Sequence, residues 1–328
     1  MFRKFGLGFA FAIAAILAGC GGGGGSSAPA ATACAITQTS NGSTLCLNEI
    51  KINGASYSGA DIFYAASAKL KDGNPDIVYS VTNVSTNNTP ATIQFLKGTA
   101  DPLAFTSWTP TISGDGTTAT AYYARDIIFG DFGNGNTGMY IADQSEYKSN
   151  PASSTFDGVN QYVYTNDGSG NFTKTLLNFG VGSIHGSAVA NLSTDGVSIV
   201  FNNPFTANPN IGIIGTNLTT TPPSFTALTT ISGSANNKCF YTAAVMLKTT
   251  SSVNGKRDLI CFSQGVNTAQ LTDHTIYFNN ATGSGQVFPT TAPAGWTVEN
   301  VVVGNFSGRT DGREDFAVMY VNRSVSNS

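Results

Sequence analysis

The sequence repeats itself about every sixty residues, and this repeat constrains the fold more than any other feature. Each copy consists of a β-type apolar run, a polar loop with an Asp-Gly or Asn-Gly turn, and a second β-type run. The turn glycines follow one another at spacings of 62, 61, 59 and 57 residues: Gly73, Gly135, Gly196, Gly255 and Gly312. Further strand patterns, such as NQYVYTND and NFTKTLLN, follow the motif and are joined by Gly-Ser-Gly loops typical of tight hairpins. The pattern therefore predicts four strands per repeat.

Four-stranded antiparallel units in series predict an all-β chain. They favour a β-propeller of five to seven four-stranded blades with about 60 residues each. The composition agrees, since glycine is abundant (37 residues) and good helix formers are scarce after the first twenty residues. A β-sandwich or a parallel β-helix is the alternative architecture. The fifth copy lacks two outer strands, so we expect either that the segment 44–54 completes it or that the chain is part of a larger ring.

Four copies carry a recognisable loop signature: GDFGNGNTG (130–138), DGNPDIV (72–78), NGKRDLI (254–260) and GNFSGRTDGREDFAV (304–318). This signature resembles the FG-GAP and VCBS repeats of integrin α-like β-propellers, over residues 58–322. The resemblance implies a propeller whose loops bind partners. It also implies an EF-hand-like calcium site in intact loops.

The N-terminus has the pattern of a bacterial lipoprotein. Residues 1–19 combine a short basic segment with an apolar stretch and form the predicted signal peptide, and LAGC (17–20) resembles a lipobox. We expect lipidation at Cys20, anchoring to the outer membrane on its periplasmic or cell-surface side, and a flexible tether at 20–33. The remaining region, 34–328, is the predicted propeller. Its motifs are expected near 61–82, 123–143, 184–203, 239–262 and 298–322.

Four cysteines remain after the lipobox. An even number in an exported chain predicts two disulfides, and the local pairings are Cys34 with Cys46 and Cys239 with Cys261. Zinc is the alternative ligand of such thiolates, but the chain has no CxxC motif.

The fifth loop is the best candidate for a calcium site, because Ca²⁺ requires several oxygen ligands including carboxylates. Its candidate ligands are Asn305, Ser307, Asp311 and Asp315. The other loops offer fewer carboxylates at suitable spacing. The alternative is a metal-free polar turn, in which the aspartates accept backbone N–H groups.

The charge and the motifs limit the classes of function. The net charge is −3, so we expect no nucleic-acid partner. No nucleophile elbow, HExxH motif or Walker loop is present, and we expect His185 and His274 at the surface or at an edge. Trp108 and Trp296 are expected to pack between repeats, with sugar stacking as their alternative. The leading hypothesis is an anchored module that binds a protein or polysaccharide by adhesion. A carbohydrate-active lyase or hydrolase and an envelope-assembly scaffold are the alternatives.

Overall fold

The structure is a computed structural model. It describes residues 36–40, 43–47, 61–82, 90–101, 104–132, 134–144, 158–182, 184–190, 198–203, 210–217, 224–231, 239–245, 247, 257–263, 273–277, 286–291 and 296–322. These residues contain 23 β-strands and no helix, which confirms the all-β prediction. Within the same ranges, no helical segment has the length and apolar character to cross a membrane.

The chain divides into two compact units, Met1–Ile50 and Lys51–Ser328. The described part of the first unit is an antiparallel pair, β1 (Ile36–Ser40) and β2 (Ser43–Leu47). Cys46 lies on β2, opposite Thr37. Cys34 and Cys20 lie outside the described residues, so the first disulfide and the lipid anchor stay predictions.

The second unit carries all the other described strands. The first eleven of them are β3 (Asp61–Ala68), β4 (Asp76–Thr82), β5 (Ala91–Thr92), β6 (Gln94–Gly98), β7 (Phe105–Trp108), β8 (Ile112–Gly114), β9 (Thr120–Ala121), β10 (Ala124–Asp131), β11 (Thr137–Asp143), β12 (Val159–Asn166) and β13 (Phe172–Gly182). The next ten are β14 (Gly186–Ala190), β15 (Ser198–Asn203), β16 (Asn210–Asn217), β17 (Ser224–Ile231), β18 (Cys239–Val245), β19 (Asp258–Ser263), β20 (Asp273–Tyr277), β21 (Gln286–Thr291), β22 (Trp296–Gly304) and β23 (Asp315–Asn322).

The strands form five sheets in chain order, which we number one to five. Their orders are β3-β4-β6-β7, β10-β11-β12-β13-β8, β14-β15-β16-β17, β18-β19-β20-β21 and β22-β23. Neighbouring strands pair antiparallel, except that β8 pairs parallel with β13. This fifth strand of sheet two comes from the segment before the repeat and is not predicted by the sequence pattern. The short strands β5 and β9 form a separate pair.

The five predicted motifs fall on the first two strands of the five sheets, with a polar turn between each pair. Gly73, Gly135 and Gly312 have φ angles of 81°, 78° and 76°, a region that glycine adopts without strain. The expected turn chemistry is therefore confirmed at these three positions. Gly196 and Gly255 lie outside the described residues.

Successive sheets pack with their first strands side by side: β3 contacts β10, β10 contacts β14, β14 contacts β18, and β18 contacts β22. An apolar core lies at three of these junctions. One joins sheets one and two through Val78, Phe95 and Met139, among others. A second joins sheets two and three, and a third joins sheets four and five. Each sheet is therefore buried against its neighbour along the chain.

Trp108 belongs to the first of these cores. Its indole ring lies 5.5 Å from the ring of Phe95 in an edge-to-face arrangement and 6.3 Å from the ring of Phe172 on sheet two. The prediction of packing between repeats is confirmed for Trp108, whereas Trp296 is 37% exposed and is not buried between sheets.

A β-bulge recurs near the start of the first strand in sheets one, two, four and five. The residue directly after the bulge is Tyr64, Asp126, Tyr241 or Asn300, respectively. A bulge re-aims the side chain that follows it, so these four repeats present two tyrosines, an aspartate and an asparagine at the same place.

Sheet five consists of β22 and β23 within the described part of the chain. Its outward face exposes Val302 and Met319. Completion of this sheet by the segment 44–54 stays a prediction.

Candidate functional site

A pocket of about 280 Å³ opens on sheet two. We call it the tyrosine pocket, because its walls include the side chains of three tyrosines together with polar and charged groups. The residues used in the argument are Tyr122, Asp143, Asn160, Tyr162, Tyr164 and Lys174.

Strand periodicity places these groups on one wall. Tyr162 and Tyr164 are two residues apart on β12, so both side chains lie on the same face of the strand. Lys174 on β13 is the direct partner of Tyr164 in the antiparallel register. Its ammonium lies 4.1 Å from the ring centre of Tyr162 and 6.0 Å from that of Tyr164. The lysine therefore lies against two aromatic rings.

The opposite wall comes from the segment before β10. The carboxylate of Asp143, at the end of β11, accepts the backbone N–H groups of Tyr122 at 2.8 Å and Tyr123 at 3.0 Å. The backbone N–H of Gln144 donates to the carbonyl of Tyr123, which adds a backbone hydrogen bond between the same two segments. These bonds fix the corner that carries Tyr122 into the pocket.

The two charged groups of the pocket have shifted pKa values. Burial raises the pKa of Asp143 to about 6, although the N–H groups of Tyr123 and Tyr122 favour its charged form. Burial lowers the pKa of Lys174, and the carboxylate of Asp115 partly offsets this effect. Shifts of both signs in one pocket are typical of functional sites, because such sites need groups that exchange protons or bind charge.

A second polar cluster lies between sheets one, two and three. The carboxylate of Asp126 accepts the hydroxyl of Tyr64 at 2.7 Å, and its other oxygen accepts the N–H and hydroxyl of Ser187 at 3.3 and 3.2 Å. Burial raises the pKa of Asp126 to about 6, against the effect of these bonds. Asp126 is only 5% exposed, so the cluster joins sheets rather than facing a ligand.

His185 lies close to this cluster. It is 1% exposed, and its ring meets that of Tyr241 edge to face at 6.1 Å between ring centres. The prediction of a surface or edge position is therefore wrong for His185, because the neighbouring sheet covers it. The side chain of His274 lies outside the described residues.

The repeat loops are held by their own aspartates. Asp76, the first residue of β4, is fully buried and accepts the N–H groups of Leu70 at 2.9 Å and Gly98 at 3.0 Å. Asp258 and Asp315 occupy the same place on β19 and β23, and each accepts one backbone N–H from its loop. The closing aspartate of the motif thus fastens the loop through direct hydrogen bonds.

The four predicted calcium ligands lie together in the loop between β22 and β23. Asn305 binds the backbone of Arg309 through its amide, and Asp315 accepts the N–H of Ser307 at 2.8 Å. The Arg309 guanidinium lies 3.7 Å from a carboxylate oxygen of Asp311 and 3.8 Å from one of Asp315. The Arg309 guanidinium thus lies beside the two carboxylates that a cation would have to bind. Calcium binding at this loop stays a prediction.

Asp311 and its neighbour form a further ion pair in this loop. The Nε of Arg313 donates to Asp311 at 2.7 Å, and this bond lowers the pKa of the Asp311 carboxyl. Within the described ranges, no group of three or more His, Cys, Asp or Glu side chains is placed to hold a metal ion.

The second cysteine pair lies on neighbouring strands. Cys239 begins β18, and Cys261 is a buried residue of β19, the strand that pairs with β18. In the register of this strand pair Cys239 lies opposite Ser263 and Cys261 lies opposite Thr242, and the Cys239–Cys261 disulfide stays a prediction.

Sequence reasoning missed the tyrosine pocket. The one available signal was Lys174, a lone charge in the alternating strand NFTKTLLN. Asp143 ends a motif strand, and nothing in the neighbouring sequence marks it as a site residue. Its carboxylate binds a backbone N–H group some twenty residues earlier in the chain.

Comparison with known proteins leaves the family open. No protein-family model matches the chain, and no curated protein matches it. Among solved structures, the chain is similar to the Bacillus licheniformis rhamnogalacturonan lyase PL11, with a TM-score of 0.39 and 11% sequence identity. The match covers 86% of this chain and 62% of the lyase, so the chain spans less than two thirds of that enzyme's length. A similarity of this size carries no argument about function.

Proposed function

We propose that the chain is an exported β-propeller, anchored to the outer membrane through Cys20, whose tyrosine pocket binds one ring of a polysaccharide. Two observations favour a propeller among all-β architectures: the sheets repeat in chain order, and their first strands lie side by side. An FG-GAP or VCBS-type repeat is the family we propose for it, on the loop signature alone.

The tyrosine pocket carries the functional part of the proposal. Its walls combine the aromatic rings of Tyr122, Tyr162 and Tyr164 with the amide of Asn160 and two charged groups. Aromatic walls with a few polar groups are typical of small-ligand sites. The volume of about 280 Å³ is slightly below the usual range of about 300–1,000 Å³ for such sites. The pocket thus suits one sugar ring better than an extended chain.

A binding assay tests this proposal. The full-length chain, solubilised in detergent, is titrated with a panel of mono- and oligosaccharides, and binding is followed by calorimetry. We expect weak, saturable binding that Tyr162→Ala reduces by about tenfold, because a stacked ring contributes roughly 1 kcal/mol or more. Phe306→Ala is the matched control, because Phe306 is an exposed aromatic residue on the loop of sheet five.

Two results would contradict the proposal. One is a failure of every saccharide to bind the folded chain. The other is equal loss of binding in the Phe306→Ala variant, because binding would then not depend on the tyrosine pocket.

A carbohydrate-active enzyme is a second candidate, favoured by one observation. Asp143 and Lys174 line the same pocket with pKa values shifted toward neutrality from opposite sides. An acid and a base of this kind are what proton transfer at a sugar ring requires. Release of new chain ends from a bound polysaccharide, lost in Lys174→Met, would support this reading. If the polysaccharide binds but its length does not change, the enzyme candidate is excluded and the proposed binding function is retained.

A further inference from the structure

The side chain of Lys174 is buried and carries a positive charge at the wall of the tyrosine pocket. Lys174 is 8% exposed, and its Nζ donates one hydrogen bond, to the carbonyl of Thr118 at 3.2 Å. An ammonium carries three donors, so two have no partner among the residues that the structure describes. Within the described part of the chain no carboxylate forms an ion pair with Lys174. The carboxylate of Asp115 acts on it electrostatically, but it accepts the N–H of Leu176.

Such an arrangement is costly unless the charge is matched. Buried charges are normally paired or fully hydrogen-bonded, because transfer from water costs several kcal/mol. Cation–π contact with the rings of Tyr162 and Tyr164 offsets part of this desolvation cost. The remaining donors lie at a pocket wall, where a ligand can reach them.

Asp143 limits which anion fits. Its carboxylate lines the same pocket and accepts two backbone N–H groups. A bare anion such as sulfate meets the negative charge of Asp143, whereas a neutral sugar offers Lys174 no charge. A sugar acid suits both groups, because its hydroxyls can face Asp143 while its carboxylate accepts from Lys174.

We infer that the tyrosine pocket is specific for an acidic sugar ring, whose carboxylate binds the Lys174 ammonium. This inference rests on the proposed function and names its ligand class. Lys174 is then the residue that determines specificity, and Asp143 orients the ring through its hydroxyl groups.

Matched ligand pairs test the inference on the full-length chain. The probes are glucuronate with glucose, galacturonate with galactose, and the methyl esters of both acids. We expect at least one acid to bind about tenfold or more tightly than its neutral twin and its ester, the size expected for a charge-assisted hydrogen bond. Lys174→Met should remove this preference, so that acid, ester and neutral sugar bind the variant with similar affinities. Lys69→Met, at an exposed lysine, is the control.

Each outcome has a distinct meaning. Equal binding of acid, ester and neutral sugar by the wild-type chain overturns the inference and leaves the proposed function intact. An acid preference that survives in Lys174→Met also overturns it. Failure of every sugar, including the neutral ones, overturns the proposed function itself. If acetate and inorganic sulfate compete as strongly as the sugar acid, the pocket is a general anion site and the inference fails. The esters test the charge without any mutation, so the result does not depend on the variant's folding.

Discussion

The buried carboxyl of Asp126 should make the chain more stable in weak acid than at neutral pH. In the folded chain its pKa is about 6, compared with 3.8 in the unfolded chain. Between these values the folded state binds more protons than the unfolded state, so stability falls as pH rises. One pKa unit corresponds to about 1.4 kcal/mol, so ionised Asp126 costs about 3 kcal/mol above pH 6.

Asp126→Asn isolates this contribution. The amide oxygen still accepts the Tyr64 hydroxyl, whereas the backbone N–H of Ser187 loses its acceptor at a cost of about 1 kcal/mol or more. This loss does not vary with pH. Because pH 5 is only about one unit below the folded-state pKa, urea unfolding at about pH 5 and about pH 7.5 should show a loss of stability that is smaller in the variant by roughly 1.4 kcal/mol.

The exposed carboxyl of Asp101 provides the control, and Asp101→Asn should follow the wild-type pH dependence. Asp143 also has a pKa of about 6, so a residual dependence is expected in the Asp126→Asn variant. If Asp126→Asn and wild type lose the same free energy over this range, the carboxyl of Asp126 is not buried in the folded chain as described.

Three further predictions concern the loops and the N-terminus. Asp76→Ala should lower the unfolding free energy by about 2–4 kcal/mol, because it leaves two buried N–H donors without an acceptor. The control is Asp72→Ala at the exposed loop, which should change the urea midpoint little. Arg309→Ala should enlarge the rise in melting temperature caused by calcium over chelator, since the guanidinium near two carboxylates opposes a cation; an unchanged response would exclude calcium from this loop. Cys20→Ala should abolish incorporation of labelled fatty acid, and retention of label would end the lipoprotein proposal.

The hairpins could be predicted from the sequence because their signals are local. An Asp-Gly or Asn-Gly turn between two apolar runs fixes a strand pair without knowledge of the rest of the chain. The positive φ angles of Gly73 and Gly135 follow from the same chemistry.

The tyrosine pocket could not be predicted in this way, because its groups come from distant segments. Asp143 ends a motif strand, Lys174 lies on the fourth strand of the sheet, and Tyr122 belongs to the segment before β10. Burial of His185 likewise depends on a neighbouring sheet and not on the residues next to it in sequence. The recurrent bulge gives no turn signal at all, since it changes the register of pairing and not the residue types.

The cluster of Tyr64, Asp126 and Ser187 has a consequence for how the repeats can be ordered. These three different groups come from the first strands of three successive sheets and bind one another only in this succession. If the first and second copies changed places, the Tyr64–Asp126–Ser187 succession would be broken and Ser187 would face a phenol in place of a carboxylate. The order of the first three repeats thus depends on one side chain in each, and duplication or loss of one of these copies would break the cluster.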